Sequence, residues 1–223
     1  MVCTVGAAPT TINADGVETL ELLAQIPDPN DPVTLKVRAK PGSKQAELLK
    51  TKNSNDRLLL YGSVHLEESL PVITPQVISN ATNEQFINEV TLVGNLSKPG
   101  RETDKTVVRS VAHSRPIRKG NDWEERTDWF LVRGYENSNG GNSLKDRLIA
   151  APKGSLVEVS GTISQRTSKT KEIYVELKAR KLRVHKRGGG GNGGAPNPAE
   201  GLPVVGYEPE AFTQDDEPMP SGW

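Results

Sequence analysis

Cysteine is nearly absent from this sequence of 223 residues, since Cys3 is the only one. This excludes an internal disulfide framework and a cysteine-rich zinc site, and it is typical of a reducing compartment. The three histidines are scattered, no glycine-rich phosphate-binding loop precedes a helical segment, and the acidic pairs have no supporting base or metal ligand. We therefore expect no catalytic activity, no metal and no cofactor.

Long hydrophobic runs are also missing. No window approaches the roughly eighteen apolar residues of a membrane-spanning helix, and the N-terminus lacks the basic region of a signal peptide. Apolar residues make up 34% of the chain and the mean hydropathy is −0.53, so part of the chain is expected to be solvated rather than folded. These features predict a cytoplasmic protein with no membrane contact.

The net charge of zero conceals a strong segregation of charge. Residues 88–187 contain 21 Lys and Arg against 12 Asp and Glu, a net charge of +9. Residues 188–223 contain six acidic and no basic side chains, and residues 1–87 contain 7 basic and 10 acidic side chains. Such a distribution indicates a central body that attracts a polyanion and a tail that mimics or avoids one.

Residues 88–187 show the period-two alternation of strands rich in Val, Thr, Ile and aromatic residues. Five strands are predicted, at Glu89–Ser97, Thr106–Arg115, Thr127–Tyr135, Ser155–Ser164 and Glu172–Val184. A short helix is predicted at Leu144–Ala150, with Ser143 as N-cap and Asp146 in the capping-box position. Three strands, a helix and two strands is the order of an OB-fold, a five-stranded Greek-key barrel that binds oligonucleotides.

Residues 1–80 carry a weaker copy of this pattern. At a constant offset of 99, Leu49 aligns with Leu148 and Gly62 aligns with Gly161. Strands are predicted at Val17–Ile26, Val33–Lys40, Arg57–His65 and Val72–Ser79, and a helix at Ser43–Lys52. We interpret 1–80 as a degenerate OB-like domain with a shortened strand pair, and 81–87 as a linker; a chance coincidence of two strand–Gly–strand patterns is the alternative.

Several motifs of the second half form a recognisable set. The segments NEVTLVGNLSKPG, RTDW and KGSLVEVSGTI occur in this order, and a glycine-rich stretch and an acidic end follow them. In this combination the chain resembles the bacterial single-stranded DNA-binding protein family over about residues 88–187. The resemblance implies an OB-fold that binds single-stranded DNA without sequence specificity during replication, recombination and repair. It also implies a nucleoid-associated homo-oligomer, either a dimer or a tetramer.

The chain departs from the family pattern in three places. Its tip ends Asp-Asp-Glu-Pro-Met-Pro-Ser-Gly-Trp, where the family usually ends Asp-Asp-Asp-Ile-Pro-Phe, and the hairpin Gln165–Lys171 has no tryptophan. The leading OB-like domain is absent from single-domain members, although some relatives carry two OB domains per subunit. We hypothesise that the first domain serves oligomer assembly or partner contact, because its net charge of −3 disfavours DNA.

The third predicted strand of the second domain carries the main candidate site. Alternation places Trp129, Leu131, Arg133 and Tyr135 on one face, which would allow bases to stack on the rings beside a guanidinium. The opposite orientation, with Trp129 in the core and Phe130 in solvent, is the alternative. Trp123, in a charged hairpin tip, is a further candidate for stacking.

Basic side chains recur around this strand, and we expect about half of them to contact phosphate. The candidates are Arg101, Arg109, Arg115, Arg118, Lys119, Arg166, Lys169, Lys171, Lys178 and Arg180. Arg109 and Arg115 share strand parity with the core-type valines at 107 and 111, so not every one can line a groove. The run Lys181–Arg187 either extends the phosphate track or keeps the exit to the linker soluble.

The last residues, 188–223, are predicted to be a disordered glycine-rich linker with an acidic tip. A terminal aromatic ring after a carboxylate run favours a docking peptide over a purely solubilising tail. The resemblance to the family implies that this peptide recruits replication and repair proteins. The candidate docking residues are Asp215, Asp216, Glu217, Pro218, Met219, Pro220 and Trp223. Two other functions remain open for the chain, an RNA-binding OB protein and a protein-interaction adaptor built on OB-folds.

Overall fold

The computed structural model describes residues 1–14, 16–28, 32–82, 86–97, 100–119, 122–137, 143–168 and 171–186. The first half contains β1 (Val2–Val5), β2 (Thr10–Ala14), β3 (Val17–Ile26), β4 (Val33–Ala39), α1 (Lys44–Lys50), β5 (Arg57–Glu67) and β6 (Leu70–Asn80). The second half contains β7 (Val90–Leu96), β8 (Arg101–Glu102), β9 (Thr106–Lys119), β10 (Asp122–Tyr135), α2 (Leu144–Ala150), β11 (Leu156–Thr167) and β12 (Ile173–Lys186). No helix among these residues is long and apolar enough to cross a membrane.

The strands form two six-stranded sheets with the same topology. The first has the order β1-β5-β6-β4-β3-β2, and β1 also pairs with β3, so five strands close a barrel. The second closes in the same way through β7, β11, β12, β10 and β9. In both barrels the fourth and last strands pair in parallel. The predicted fold class, an OB-fold preceded by an OB-like domain, is confirmed.

Alternating side chains fill each barrel because successive residues of a strand point to opposite faces. In β4, Val33, Leu35 and Val37 are fully buried, and in β10 Phe130 and Val132 occupy the same kind of position. Phe130 lies in a row with Val111 and Leu96, and Leu35 lies in the matching row with Ala24 and Val5. This register makes Thr34, Lys36 and Arg38 the equivalents of Trp129, Leu131 and Arg133.

The two glycines that align in the sequence occupy the same structural feature. A β-bulge interrupts the pairing at Gly62 in the first barrel and at Gly161 in the second. A Cβ atom at Gly62 would lie 2.2 Å from the Thr74 carbonyl oxygen, and one at Gly161 would lie 2.1 Å from the Lys178 carbonyl oxygen. A side chain at either position would therefore displace the neighbouring strand. The predicted internal repeat is a structural repeat.

The structure also shows where the sequence-based element assignments fell short. Strands β1, β2 and β8 were not predicted, because they contain only four, five and two residues. The expected shortening of a strand pair is present, since β3 and β4 have 10 and 7 residues whereas β9 and β10 have 14 each. The capping box between Ser143 and Asp146 is confirmed.

The barrels contact one another through equivalent elements, because β4 contacts β11 and β5 contacts β10. The Thr34 backbone N–H donates to Gln165 Oε1 at 3.1 Å across this boundary. Hydrogen bonds attach the connection between the barrels to the first barrel and to the second barrel. The Ile87 carbonyl accepts a hydrogen bond from the Val2 N–H at 2.6 Å, and the Asn88 side chain bonds to the backbone of Ile163.

Candidate nucleic-acid interface

Strand β10 presents Trp129 on the outside of the second barrel. The indole is 47% exposed, while its neighbour Phe130 is buried in the core together with Val132. The predicted orientation of this strand is therefore confirmed, and the alternative with Trp129 in the core is excluded. The indole of Trp129 therefore projects from a strand whose opposite face is packed into the core of the closed barrel.

Small side chains flank Trp129 on the neighbouring strands. Asn95, Ala112 and Trp129 lie side by side across β7, β9 and β10. One step further out, the Ser114 and Thr127 hydroxyls lie 3.1 Å apart. These short side chains leave the ring face accessible, which is the geometry that a flat base needs for stacking.

Trp123 lies near the tip of the β9–β10 hairpin and is 70% exposed. It pairs with Arg118, which is also exposed, in the antiparallel register of the two strands. The hairpin thus carries an exposed ring and an exposed cation beside it, as the sequence predicts. The side chain of Lys119 lies outside the described residues.

The guanidinium of Arg133 is not free, contrary to the sequence-based expectation. Its Nε lies 3.0 and 2.8 Å from the two carboxylate oxygens of Glu176, which is 0% exposed. The Nε of Arg166 lies 3.0 Å from the same carboxylate. A buried carboxylate requires such compensation, because its desolvation would otherwise be costly. Arg133 is thereby fixed in place, and Arg166 keeps part of its guanidinium exposed.

Tyr135 completes this end of the strand. Burial raises the pKa of its phenol, and the charge of Glu176 raises it further. The ring therefore stays neutral across the physiological range. It is only partly exposed, in contrast to Trp129 on the same face.

Arg109 is buried, which corrects its assignment as a phosphate contact. It is 2% exposed, and its Nη1 donates to the carbonyls of Leu148 at 2.5 Å and Ala151 at 2.6 Å. Its Nη2 donates to the carbonyl of Ser97. The residue satisfies the carbonyls at the end of α2, a role that depends on tertiary contacts. Burial also lowers the pKa of this guanidinium.

Arg115 likewise belongs to a different environment from the stacking face. Its Nε lies 2.8 Å from Oδ2 of the buried Asp128. His65 of the first barrel interacts electrostatically with both groups. Burial, and then the charge of Arg115, lowers the pKa of His65 to about 4. Arg115 therefore helps to form the boundary between the barrels. It is not available to contact phosphate, contrary to the prediction.

The remaining predicted cations differ in position. Arg101 and Lys171 are exposed, and Lys178 is partly exposed beside Arg133 in the β10–β12 pairing. Lys169 lies outside the described residues, and so do the predicted docking residues Asp215, Asp216, Glu217, Pro218, Met219, Pro220 and Trp223. The described part of the chain contains no group of His, Cys, Asp or Glu side chains that could hold a metal ion.

Glu176 was missed by the sequence analysis, although it organises two of the predicted cations. The sequence does contain a signal for this residue. Alternation along β12 places Tyr174, Glu176 and Lys178 on the outer side of the strand, and the core residues Val175 and Leu177 on the inner side. A single carboxylate in a basic, outward row indicates an ion pair. Its partners became evident only from the parallel pairing of β10 with β12.

Comparisons with known proteins support the fold. No protein-family model and no curated protein matches the sequence. The wild-type single-stranded DNA-binding protein from Thermus aquaticus matches the structure with a TM-score of 0.56 and 19% identity, over 86% of this chain and 94% of that chain. A deletion mutant of that Thermus aquaticus protein matches with a TM-score of 0.54 and 17% identity, over 82% of this chain and 91% of that chain. The chain is therefore an OB-fold protein with two barrels whose fold is similar to that of a bacterial single-stranded DNA-binding protein.

Proposed function

We propose that this chain binds single-stranded DNA through the outer face of its second barrel, without strong sequence preference. The observation that carries the proposal is the accessible ring of Trp129 above a floor of small side chains, on a face that carries Arg133 four residues further along the strand and Lys178 beside Arg133. Stacking contributes about 1–3 kcal/mol per base and tolerates any base, because every base has a π-face. The solved structures with a similar fold are of a protein named for single-stranded DNA binding, which supports the same function.

The net charge of +9 in residues 88–187 supplies the attraction for the backbone. Each neutralised phosphate releases counterions, so the affinity should fall steeply as salt is raised. Arg118 beside Trp123 extends the charged surface along the β9–β10 hairpin. Among the described residues on this face, arginine pairs with glutamate rather than forming an open hydrogen-bonding edge, which disfavours readout of base sequence.

The first barrel acts as a scaffold in this proposal. Thr34 occupies the position equivalent to Trp129, and its backbone N–H bonds to Gln165 of the second barrel. Arg38 occupies the position of Arg133 and forms ion pairs with Glu21 and Glu67. The bond from Thr34 to Gln165 supports a scaffold role, because it connects this strand of the first barrel to the second barrel.

The acidic tip, residues 215–223, would recruit replication and repair proteins through its carboxylates and terminal ring. Homo-oligomerisation as a dimer or tetramer belongs to the same proposal. A pull-down with the full chain and with a chain that ends at residue 214 tests the recruitment, since only the full chain should retain replication or repair proteins.

The central test is tryptophan fluorescence during titration with oligo(dT), at low and at high salt, with duplex DNA and oligo(U) as controls. We expect strong quenching by oligo(dT), weaker affinity at high salt and almost no quenching by duplex. Equal or tighter binding of oligo(U) would point to an RNA-binding protein. The absence of quenching by both single strands would leave the protein-interaction adaptor as the better interpretation.

A further inference from the structure

The β-bulge of the second barrel places two cations next to one another. Ser160 pairs with Lys181 and Gly161 pairs with Ala179, so Arg180 has no partner on β11. A bulge of this kind re-aims side chains away from the regular alternation of the strand. Arg180 and Lys181 are both exposed, and both line one shallow cavity of about 310 Å³.

The charge of this cavity is suited to an anion. Glu89, Ser160 and Gly161 complete its lining, so two cations face one carboxylate. In the described part of the chain, no carboxylate forms an ion pair with Arg180 or Lys181. The next cation along β12, Arg183, is by contrast paired with Glu158 at 3.6 Å.

The cavity continues the proposed stacking face around the barrel. Lys178 lies beside Arg133 in the parallel pairing of β10 with β12. Three residues further along the same strand, about 10 Å at the rise of a β-strand, lies Lys181. A nucleic-acid backbone that runs along this face from the ring of Trp129 would therefore pass Lys178 before it reaches Arg180 and Lys181 at the bulge.

The first barrel provides an internal comparison. Tyr61 pairs with Val77 and Gly62 pairs with Pro75, so Gln76 is the unpaired residue of an equivalent bulge. Gln76 and Val77 thus stand where Arg180 and Lys181 stand in the second barrel. The bulge itself is required by the fold of both barrels, whereas the cations occur only on the barrel that carries Trp129.

We propose that Arg180 and Lys181 form a binding site for phosphate groups of the nucleic-acid backbone, separate from the stacking site. This inference rests on the proposed single-stranded DNA binding and extends its path from β10 to the β11–β12 bulge. The guanidinium and the ammonium would neutralise one or two phosphates.

The test is the double substitution R180Q/K181V, which installs the residues of the first barrel at the same bulge. The dependence of log Kd on log salt should become shallower by about 0.7 to 1.4, since each phosphate contact contributes about 0.7 for single strands. Oligo(dT) of about 30 nucleotides should bind more weakly, whereas oligomers of about five nucleotides should bind as they do to the wild type. The quenching at saturation should be unchanged, because Trp123 and Trp129 are retained.

Two control variants separate a local site from a general effect of charge. K40Q/K44Q removes the same charge from exposed positions of the first domain and should leave the salt dependence unchanged. R180K/K181R keeps the charge and should retain the wild-type slope. A wild-type slope in R180Q/K181V, or an equal loss in K40Q/K44Q, overturns the phosphate site alone. The absence of oligo(dT) binding by the wild-type chain overturns the proposed function as well.

Discussion

Arg133 and Glu176 form a two-oxygen ion pair on the outer face of the second barrel, with Arg133 Nε at 3.0 and 2.8 Å from the carboxylate oxygens. Glu176 lies beside Leu131 in the parallel pairing of β10 with β12, so its carboxylate is set directly against the strand of Trp129. The pair connects the two strands that form this face by side chains as well as by backbone hydrogen bonds.

Replacing Glu176 with alanine should therefore destabilise the second barrel. Removing one partner of a buried ion pair costs about 3–5 kcal/mol, because the other charge is left without compensation. Urea unfolding monitored by circular dichroism measures this loss. Glu176→Gln keeps the hydrogen-bonding oxygen and should cost less, and equal stabilities of both variants and the wild type would contradict a structural role for the pair.

Trp129→Ala should weaken oligo(dT) binding by about 1–3 kcal/mol, since one stacking platform is lost. Trp123→Ala is the matched variant, because it removes a more exposed tryptophan from the same hairpin. Fluorescence anisotropy with a labelled oligonucleotide measures both affinities without relying on tryptophan emission. If neither variant binds more weakly than the wild type, stacking on this hairpin is excluded.

Arg109→Leu should reduce stability and leave the salt dependence of DNA binding unchanged. The substitution copies Leu22, which holds the equivalent position opposite Val37 in the first barrel. The carbonyls of Leu148, Ala151 and Ser97 would lose their donor, at about 1–3 kcal/mol for each buried acceptor that stays unsatisfied. Thermal unfolding measures the loss of stability, and a salt titration of Kd measures the salt dependence of DNA binding. A shallower dependence of log Kd on log salt in the variant would show that Arg109 does contact phosphate.

His65, at the boundary between the barrels, should make the free energy of unfolding of the chain fall in acid. Burial and Arg115 lower its pKa to about 4, below the value near 6.5 of the unfolded chain. The unfolded state therefore binds the proton first, and stability should fall as the pH drops from about 6.5 towards 4. Asp128, Arg38 and Glu67 also interact electrostatically with this ring.

His65→Gln should remove this part of the pH dependence in urea unfolding. The pKa of Glu67 is lowered to about 2, chiefly by its hydrogen bond with Arg38, so its own contribution is lost at lower pH, between about 4.5 and 2. The two groups can therefore be distinguished by the interval in which stability changes. An unchanged slope between pH 6.5 and 4 in the variant would show that His65 is not responsible.

The sequence predicts the barrel and the orientation of Trp129 because both depend on local alternation. Phe130 and Val132 on one face and Trp129 on the other follow from a period of two residues. The environments of Arg109 and Arg115 do not follow, because α2 and the first barrel supply their partners from distant parts of the chain. Strand β1 escapes detection because its four residues gain their stability from pairing with β3 and β5.

The connection at Ile87 and Asn88 joins the two barrels within one polypeptide and anchors each side of the joint by hydrogen bonds. A short tether of this kind keeps its ends at an effective concentration of the order of millimolar. The contact of β4 with β11 and of β5 with β10 is therefore intramolecular, and it should persist at dilutions at which barrels from separate chains would come apart.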